Sequence, residues 1–201
     1  MNAEAMEADG RRTDTRARIL DVASRQFRER GYSATSLKEI AAELGVTKAA
    51  LYYHFDSKTA ILRALVEPML AAIEEVLSGG VDCSTAGARR AFVADLVLAF
   101  DTVGPVVTSI AIDPRAAADI REAVPTTLVD RILELLVDGL VREGRGDRAS
   151  TAIRVAGALS AVQGMFDAWA RGSDGATPMD PRTRDLIVAV ASAALETGTQ
   201  A

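Results

Sequence analysis

Between positions 48 and 54 the chain reads KAALYYH, and a helix there would turn Lys48, Ala49, Tyr52 and Tyr53 outward, with His54 at its end. These side chains offer a cation, a small apolar contact, two phenols and an imidazole. Such groups suit a nucleic-acid duplex: an ammonium donates to O6 and N7 of guanine, and an alanine methyl meets the methyl of thymine. Thr35 and Ser36 stand at the start of an earlier helix, where free N–H groups and the positive end of the helix dipole favour a phosphate. Chemistry that breaks bonds has less to work with. His54 is the only histidine, so neither a histidine triad nor a histidine-rich metal centre can be built elsewhere. No phosphate loop, Rossmann glycine run or nucleophile elbow occurs. No catalytic residue, metal ligand or cofactor is expected.

The elements that must position these groups are legible in SLKEIAAELGVTKAALYYHFDSK, Ser36–Lys58. Ser36 followed by Glu39 is a capping box. Leu37, Ile40, Ala41 and Leu44 share one helical face. Gly45 stands where the helix must stop and the backbone turn with positive φ. Val46 fills the angle between two helices, and Thr47 caps the second. Leu51 and Phe55, four apart, give that second helix its inward stripe. The pattern is a helix-turn-helix whose second helix faces outward with the groups named above.

The order of features in RILDVASRQFRERGYSATSLKEIAAELGVTKAALYYHFDSKTAIL resembles the DNA-binding domain of the TetR (tetracycline-repressor) family of bacterial transcriptional regulators, over about a quarter of the chain. The resemblance implies that Thr47, Lys48, Ala49 and Tyr52 face base edges. It implies that Tyr53, His54 and Lys58, with Thr35 and Ser36, hold phosphates. His54 also reads as a helix C-cap, and Tyr52 as packing on the first helix; neither excludes contact with DNA. The family further implies a small-molecule effector pocket in the remaining helices and a homodimer made by the last two.

Composition sets bounds. The 201 residues suffice for one or two domains with real cores, and 49% hydrophobic with 25% charged residues is ordinary for a globular chain. The net charge of −5 is unevenly placed. Residues 1–66 hold 11 Lys and Arg against 9 Asp and Glu, a net +2; the rest hold 12 against 19, a net −7. The basic excess lies with the helix-turn-helix, where phosphates would be met. The longest uncharged apolar run, Val155–Phe166, is too short to span a membrane. With no secretory pattern at the N-terminus and a lone Cys83, a cytoplasmic protein without disulfides is expected.

In chain order, residues 1–13 read as a disordered arm, 14–60 as the helix-turn-helix domain, and 61–201 as a helical ligand-binding and dimerisation domain. The whole is expected to be all-α. Arg11, Arg12, Arg16 and Arg18 fit phosphate contact from an arm and equally a solvated helix start. A first helix near 15–30 carries the stripe Ile19, Ala23 and Phe27. A fourth, from Lys58 to about Leu77, contains Pro68, which should bend it. Phe92, Leu96, Phe100, Val107, Ile110, Phe166 and Trp169 are candidates to line a cavity, with Asp113, Gln163 and Asp167 to orient a hydrophobic effector; each apolar one also reads as plain core. In Ala149–Arg171 the small residues Gly157, Ala161, Gly164 and Ala168 lie opposite a large apolar face. Ile187, Val190, Ala191 and Ala194 form a similar stripe in the last helix. Surplus apolar surface on both helices predicts a homodimer; internal packing in a monomer is the alternative. The functional expectation is a regulator that reads a palindromic operator and leaves it when an effector binds. The alternatives are an effector-independent or activating regulator, and a dimeric small-molecule binder that no longer reads DNA.

Overall fold

A computed structural model describes residues 3–101, 107, 110–172 and 177–197, with side chains from residue 14 onward. Its helices are α1 (Ala3–Arg30), α2 (Leu37–Leu44), α3 (Lys48–His54), α4 (Lys58–Ser78), α5 (Ala86–Asp101), α6 (Pro114–Ala123), α7 (Thr126–Arg142), α8 (Arg148–Gly172) and α9 (Pro181–Glu196). No strand occurs among the described residues, and no helix there is long and apolar enough to cross a membrane. The all-α expectation holds. The disordered arm does not: the backbone is helical from Ala3. Ala, Glu, Met and Arg dominate that stretch and no proline interrupts it, so helix propensity carries α1 back well beyond residue 14.

The chain divides into two compact units, residues 1–66 with 110–123, and residues 67–109 with 124–201. The expected division at residue 60 therefore moves to Val66, and a segment assigned to the second domain belongs with the first.

In the first unit, Ile19, Ala23 and Phe27 of α1 are buried with Ile40 and Ala41 of α2, Leu51 of α3, Phe55, and Ile61 and Leu62 of α4. Each large side chain here contributes about 1.5–3 kcal/mol by leaving water. Tyr32 closes the core edge-on to Phe27, with ring centroids 5.0 Å apart. The capping box is formed: the Ser36 N–H donates to Glu39 Oε2 at 2.8 Å, and the Glu39 N–H donates to Ser36 Oγ at 3.3 Å. Gly45 ends α2 in the left-handed region, φ 68°, and its N–H reaches the Ala41 and Ala42 carbonyls. Thr47 then caps α3, its Oγ1 accepting from the Ala50 N–H at 3.1 Å.

In the second unit, α9 packs on α5 and α8, and α7 packs on α8. Phe92, Leu96, Leu136, Leu140, Val155, Phe166, Ile187 and Leu195 are buried between them. Arg89, only 1% exposed, ties the helix ends together. Its guanidinium donates to Glu143 at 2.6 Å, to Glu196 at 2.8 Å and to the Cys83 carbonyl at 3.1 Å. Arg145 joins the same carboxylates. Hydrogen bonding to Arg89 holds the Glu143 carboxyl below the usual range. The Cys83 thiol is buried, and burial pushes it up to about 11, so it is an inert packing group. α4 runs unbroken through Pro68, which is exposed; the missing N–H leaves the Ala64 carbonyl without its helical donor.

The Cys83 segment crosses α7 so closely that only glycine fits at Gly139, because a β-carbon there would overlap the Cys83 carbonyl. Gly139→Ala should lower stability by about 1–3 kcal/mol in urea unfolding. Gly87→Ala, which adds a methyl into open space, should not. Equal stability of Gly139→Ala and wild type would show that the crossing can relax.

Candidate nucleic-acid interface and ligand cavity

The seven residues of α3 divide as their spacing requires. Leu51 is fully buried and anchors the helix, while Thr47, Lys48, Ala49, Tyr52 and Tyr53 are exposed around it. The Lys48 ammonium stands 5.3 Å from the centre of the Tyr52 ring, an i, i+4 pair that holds the cation against a phenol. Tyr53, 72% exposed, meets the half-buried His54 edge-on at 5.4 Å. The Arg16 guanidinium lies over the Phe55 ring at 5.2 Å, which places α1 beside the end of α3. Arg11 and Arg12 lie outside the residues with described side chains. The face holds an exposed cation, two phenols and a hydroxyl, anchored from behind by Leu51 and Phe55.

Three expected phosphate ligands are otherwise engaged. Thr35 is 3% exposed, and its hydroxyl donates inward to the Gly31 carbonyl at 2.9 Å, with the Gln26 carbonyl at 3.3 Å. Ser36 donates its hydroxyl to Glu39 Oε2 at 2.6 Å. The Glu39 carboxylate thus fills the anion site at the start of α2, and the hydrogen bond from Ser36 keeps it below the usual carboxylate range. A phosphate arriving there would meet a negative charge. Lys58 turns inward: its ammonium donates to the Tyr32 carbonyl at 2.6 Å and the Thr35 carbonyl at 3.0 Å, and lies 4.3 Å from the centre of the Tyr32 ring. Burial lowers its pKa, with Asp113 opposing that effect.

The same cluster reaches α6. The Tyr32 hydroxyl donates to Asp119 Oδ2 at 2.6 Å, and the Thr59 hydroxyl donates to that oxygen at 3.1 Å. Burial, then the bond to Asp119, pushes the Tyr32 phenol up to about 12. Asp113 accepts from the Ser33 N–H at 2.8 Å and the Ser33 hydroxyl at 3.0 Å. Burial alone would raise the Asp113 carboxyl, but those bonds outweigh it and the net direction is down. Asp113 is therefore a positioning group of the first unit and not a pocket residue. Its role and that of Asp119 had no sequence signal, since both act across about 80 residues or more of chain.

The second unit holds a partly open cavity of about 210 Å³ between α5, α7, α8 and α9. Of the expected pocket residues, Leu96, Phe100, Gln163 and Phe166 line it; the Phe100 and Phe166 rings lie 5.3 Å apart. Phe92 and Val107 are buried elsewhere, Ile110 falls in the first unit, and Trp169 is half-buried away from the cavity. Asp167 does not line it either, but accepts from Gln163 Nε2 at 3.0 Å. Val97, Ile132, Ala158 and Leu159 line it without having been expected. Helical stripes reveal which residues face inward, not where their packing leaves a void.

On the outer faces, Gly157, Ala161, Gly164, Ala168 and Val190 are exposed and Ala194 is half-buried. Ile187 and Ala191 are each 2% exposed and belong to the unit's own core. The 3.6-residue period turns 187, 188, 191 and 195 inward and leaves Leu186 and Val190 out. Leu186, at 61% exposed, and Ile153, at 76%, extend the apolar outer surface.

A capped helix, a glycine turn and a short outward-facing helix anchored by Leu51 define a helix-turn-helix protein of all-α fold. The sequence profile of "Bacterial regulatory proteins, tetR family" matches residues 19–65. The HTH-type transcriptional repressor BepR of Brucella suis biovar 1 (strain 1330) is 31% identical over 180 residues, covering 81% of this chain and 83% of that one. The HTH-type transcriptional repressor KstR2 of Rhodococcus jostii (strain RHA1) is 38% identical over 77 residues, and that match spans only about a third of the relative's own length, 36%. Among solved structures, the TetR family transcriptional regulator PfmR from Thermus thermophilus is similar, with a TM-score of 0.56 and 28% identity over 88% of this chain and 96% of that one. The chain belongs to the tetR family of bacterial regulatory proteins.

The two lysines of this region should behave oppositely. Lys58→Met strips two carbonyls of a charged donor and should cost about 1–3 kcal/mol of stability in urea unfolding. Lys48→Met, at an exposed position, should stay within about 0.5 kcal/mol of wild type. Unchanged stability of Lys58→Met would return Lys58 to the candidate phosphate ligands.

Proposed function

We propose that the protein is a sequence-specific DNA-binding regulator of transcription, a repressor that binds a palindromic operator as a homodimer and leaves it when a small apolar molecule binds. The observation that carries this reading is the outward face of α3. Thr47, Lys48, Ala49 and Tyr52 supply its base contacts, and Tyr53 and His54 its phosphate contacts. An exposed ammonium set against the Tyr52 ring, with a second exposed phenol beside it, offers donors of the kind that reach base edges and phosphate oxygens in a groove. The relatives BepR and KstR2 are named as repressors, which favours repression over activation.

The dimer follows from the exposed small and apolar residues of α8 and α9: Gly157, Ala161, Gly164 and Ala168 admit close approach of a second copy's helices, and Val190 with Leu186 extends the contact. Effector occupancy of the second unit reaches the first through α4, which crosses from one unit to the other beside Pro68. A ligand shifts the operator-binding form only by its differential affinity for the two forms.

Lys48→Ala should weaken binding to the preferred duplex by about 1–3 kcal/mol and relax preference at one base pair per half-site. Fluorescence anisotropy on matched and singly mutated duplexes reads both. Equal weakening on every sequence would make Lys48 a phosphate contact.

Gly164 has open space around it, so Gly164→Leu leaves the subunit folded while holding a second copy's helix away. Size-exclusion chromatography should show wild type as a dimer and the variant as a folded monomer; a variant that elutes as wild type does would remove this face from the interface.

A further inference from the structure

We infer that the effector is a small, neutral molecule, a single ring with a short substituent that carries one hydrogen-bond donor. This deepens the effector part of the reading above. Four features of the cavity carry it. Its volume of about 210 Å³ lies between an engineered apolar cavity of about 150 Å³ that accepts benzene and the lower limit of about 300 Å³ for pockets that take drug-sized ligands. None of its lining side chains among the described residues carries a charge. A carboxylate or phosphate buried there would keep its desolvation cost with no cation to offset it. Third, the one polar side chain in the lining among the described residues is Gln163, exposed at the solvent side, and one of its two amide N–H groups donates to Asp167 at 3.0 Å. That bond orients the amide, and its carbonyl oxygen is the acceptor assigned to a ligand O–H or N–H. The rings of Phe100 and Phe166, 5.3 Å apart, provide aromatic faces against which a planar ring packs.

The probes are 4-ethylphenol, ethylbenzene and 4-ethylbenzoate, which share a ring and ethyl group and differ in the polar end. Thermal-shift and calorimetric titrations of the full chain without DNA should rank 4-ethylphenol first and ethylbenzene weaker by about tenfold, with 4-ethylbenzoate giving no shift. Gln163→Leu should bring 4-ethylphenol down to the level of ethylbenzene. Ala158→Phe, which fills the cavity from a buried wall position, should abolish both. Should Ala158→Phe fail to fold, Val162→Trp, at a half-buried lining position, blocks the same space. Binding of 4-ethylbenzoate as tight as that of the phenol, binding of all three that survives the filling variants, or no shift with either neutral compound overturns the inference. These readouts need no DNA. Their failure therefore leaves the operator-binding proposal intact, and failure of operator binding leaves the ligand class intact.

Discussion

A lysine ammonium held by two backbone carbonyls is the constraint on which the first unit depends. Lys58 reaches from the start of α4 to the Tyr32 and Thr35 carbonyls, 2.6 and 3.0 Å away, in the segment joining α1 to α2. The Tyr32 carbonyl also accepts from the Thr35 N–H at 3.3 Å, and a charged donor binds both carbonyls more strongly than a neutral one does. The same segment is held from α6: Asp119 takes the Tyr32 hydroxyl, and Asp113 takes the N–H and hydroxyl of Ser33. Pinned at both sides, the segment fixes where α2 starts. The capping box at Ser36, the glycine turn at Gly45 and the cap at Thr47 then carry that position to α3. The exposure of Lys48 and Tyr52 is thus the last step of a chain that begins at a half-buried ammonium.

Local features were legible in the sequence. Ser36 with Glu39, Gly45, Thr47 and the Leu51–Phe55 pair act on residues within about one helical turn, so their spacing alone defines the motif. What eluded sequence reasoning was non-local. Lys58 sits at a position where the family resemblance implies a phosphate ligand, and only the fold shows its ammonium turned to carbonyls 23 and 26 residues earlier. Ser36 was legible as a cap, yet the cap itself fills the anion site, because Glu39 brings its own negative charge. Asp113 looked like a ligand-orienting acid and instead positions Ser33. The helical start of α1 was missed for a different reason: a polar stretch without periodicity has no inward face to detect, although its residues favour helix.

The second unit is held together differently. Its core is tied at the helix ends by Arg89 between Glu143 and Glu196, and by the close crossing of Cys83 over Gly139. With the ends fixed, the middle of α5, α7, α8 and α9 tolerates a void bounded by uncharged side chains. Both faces of α9 are apolar. The sequence pattern could not tell which face was core, and Ile187 and Ala191 proved to be inward while Val190 stayed out. That leaves a core-facing cavity and an outward-facing apolar surface on the same helices. In the proposed regulator these are the places for an effector and a second copy, respectively, and α4 is the element that both units share.

The proposal that this chain reads DNA as a symmetric dimer is tested most directly by selecting bound fragments from a random pool of duplex DNA with the purified protein. The predicted result is one enriched palindrome, with half-site centres about 34 Å or a small multiple apart along the duplex. Enrichment of no sequence, or of a single unrepeated half-site, would contradict it.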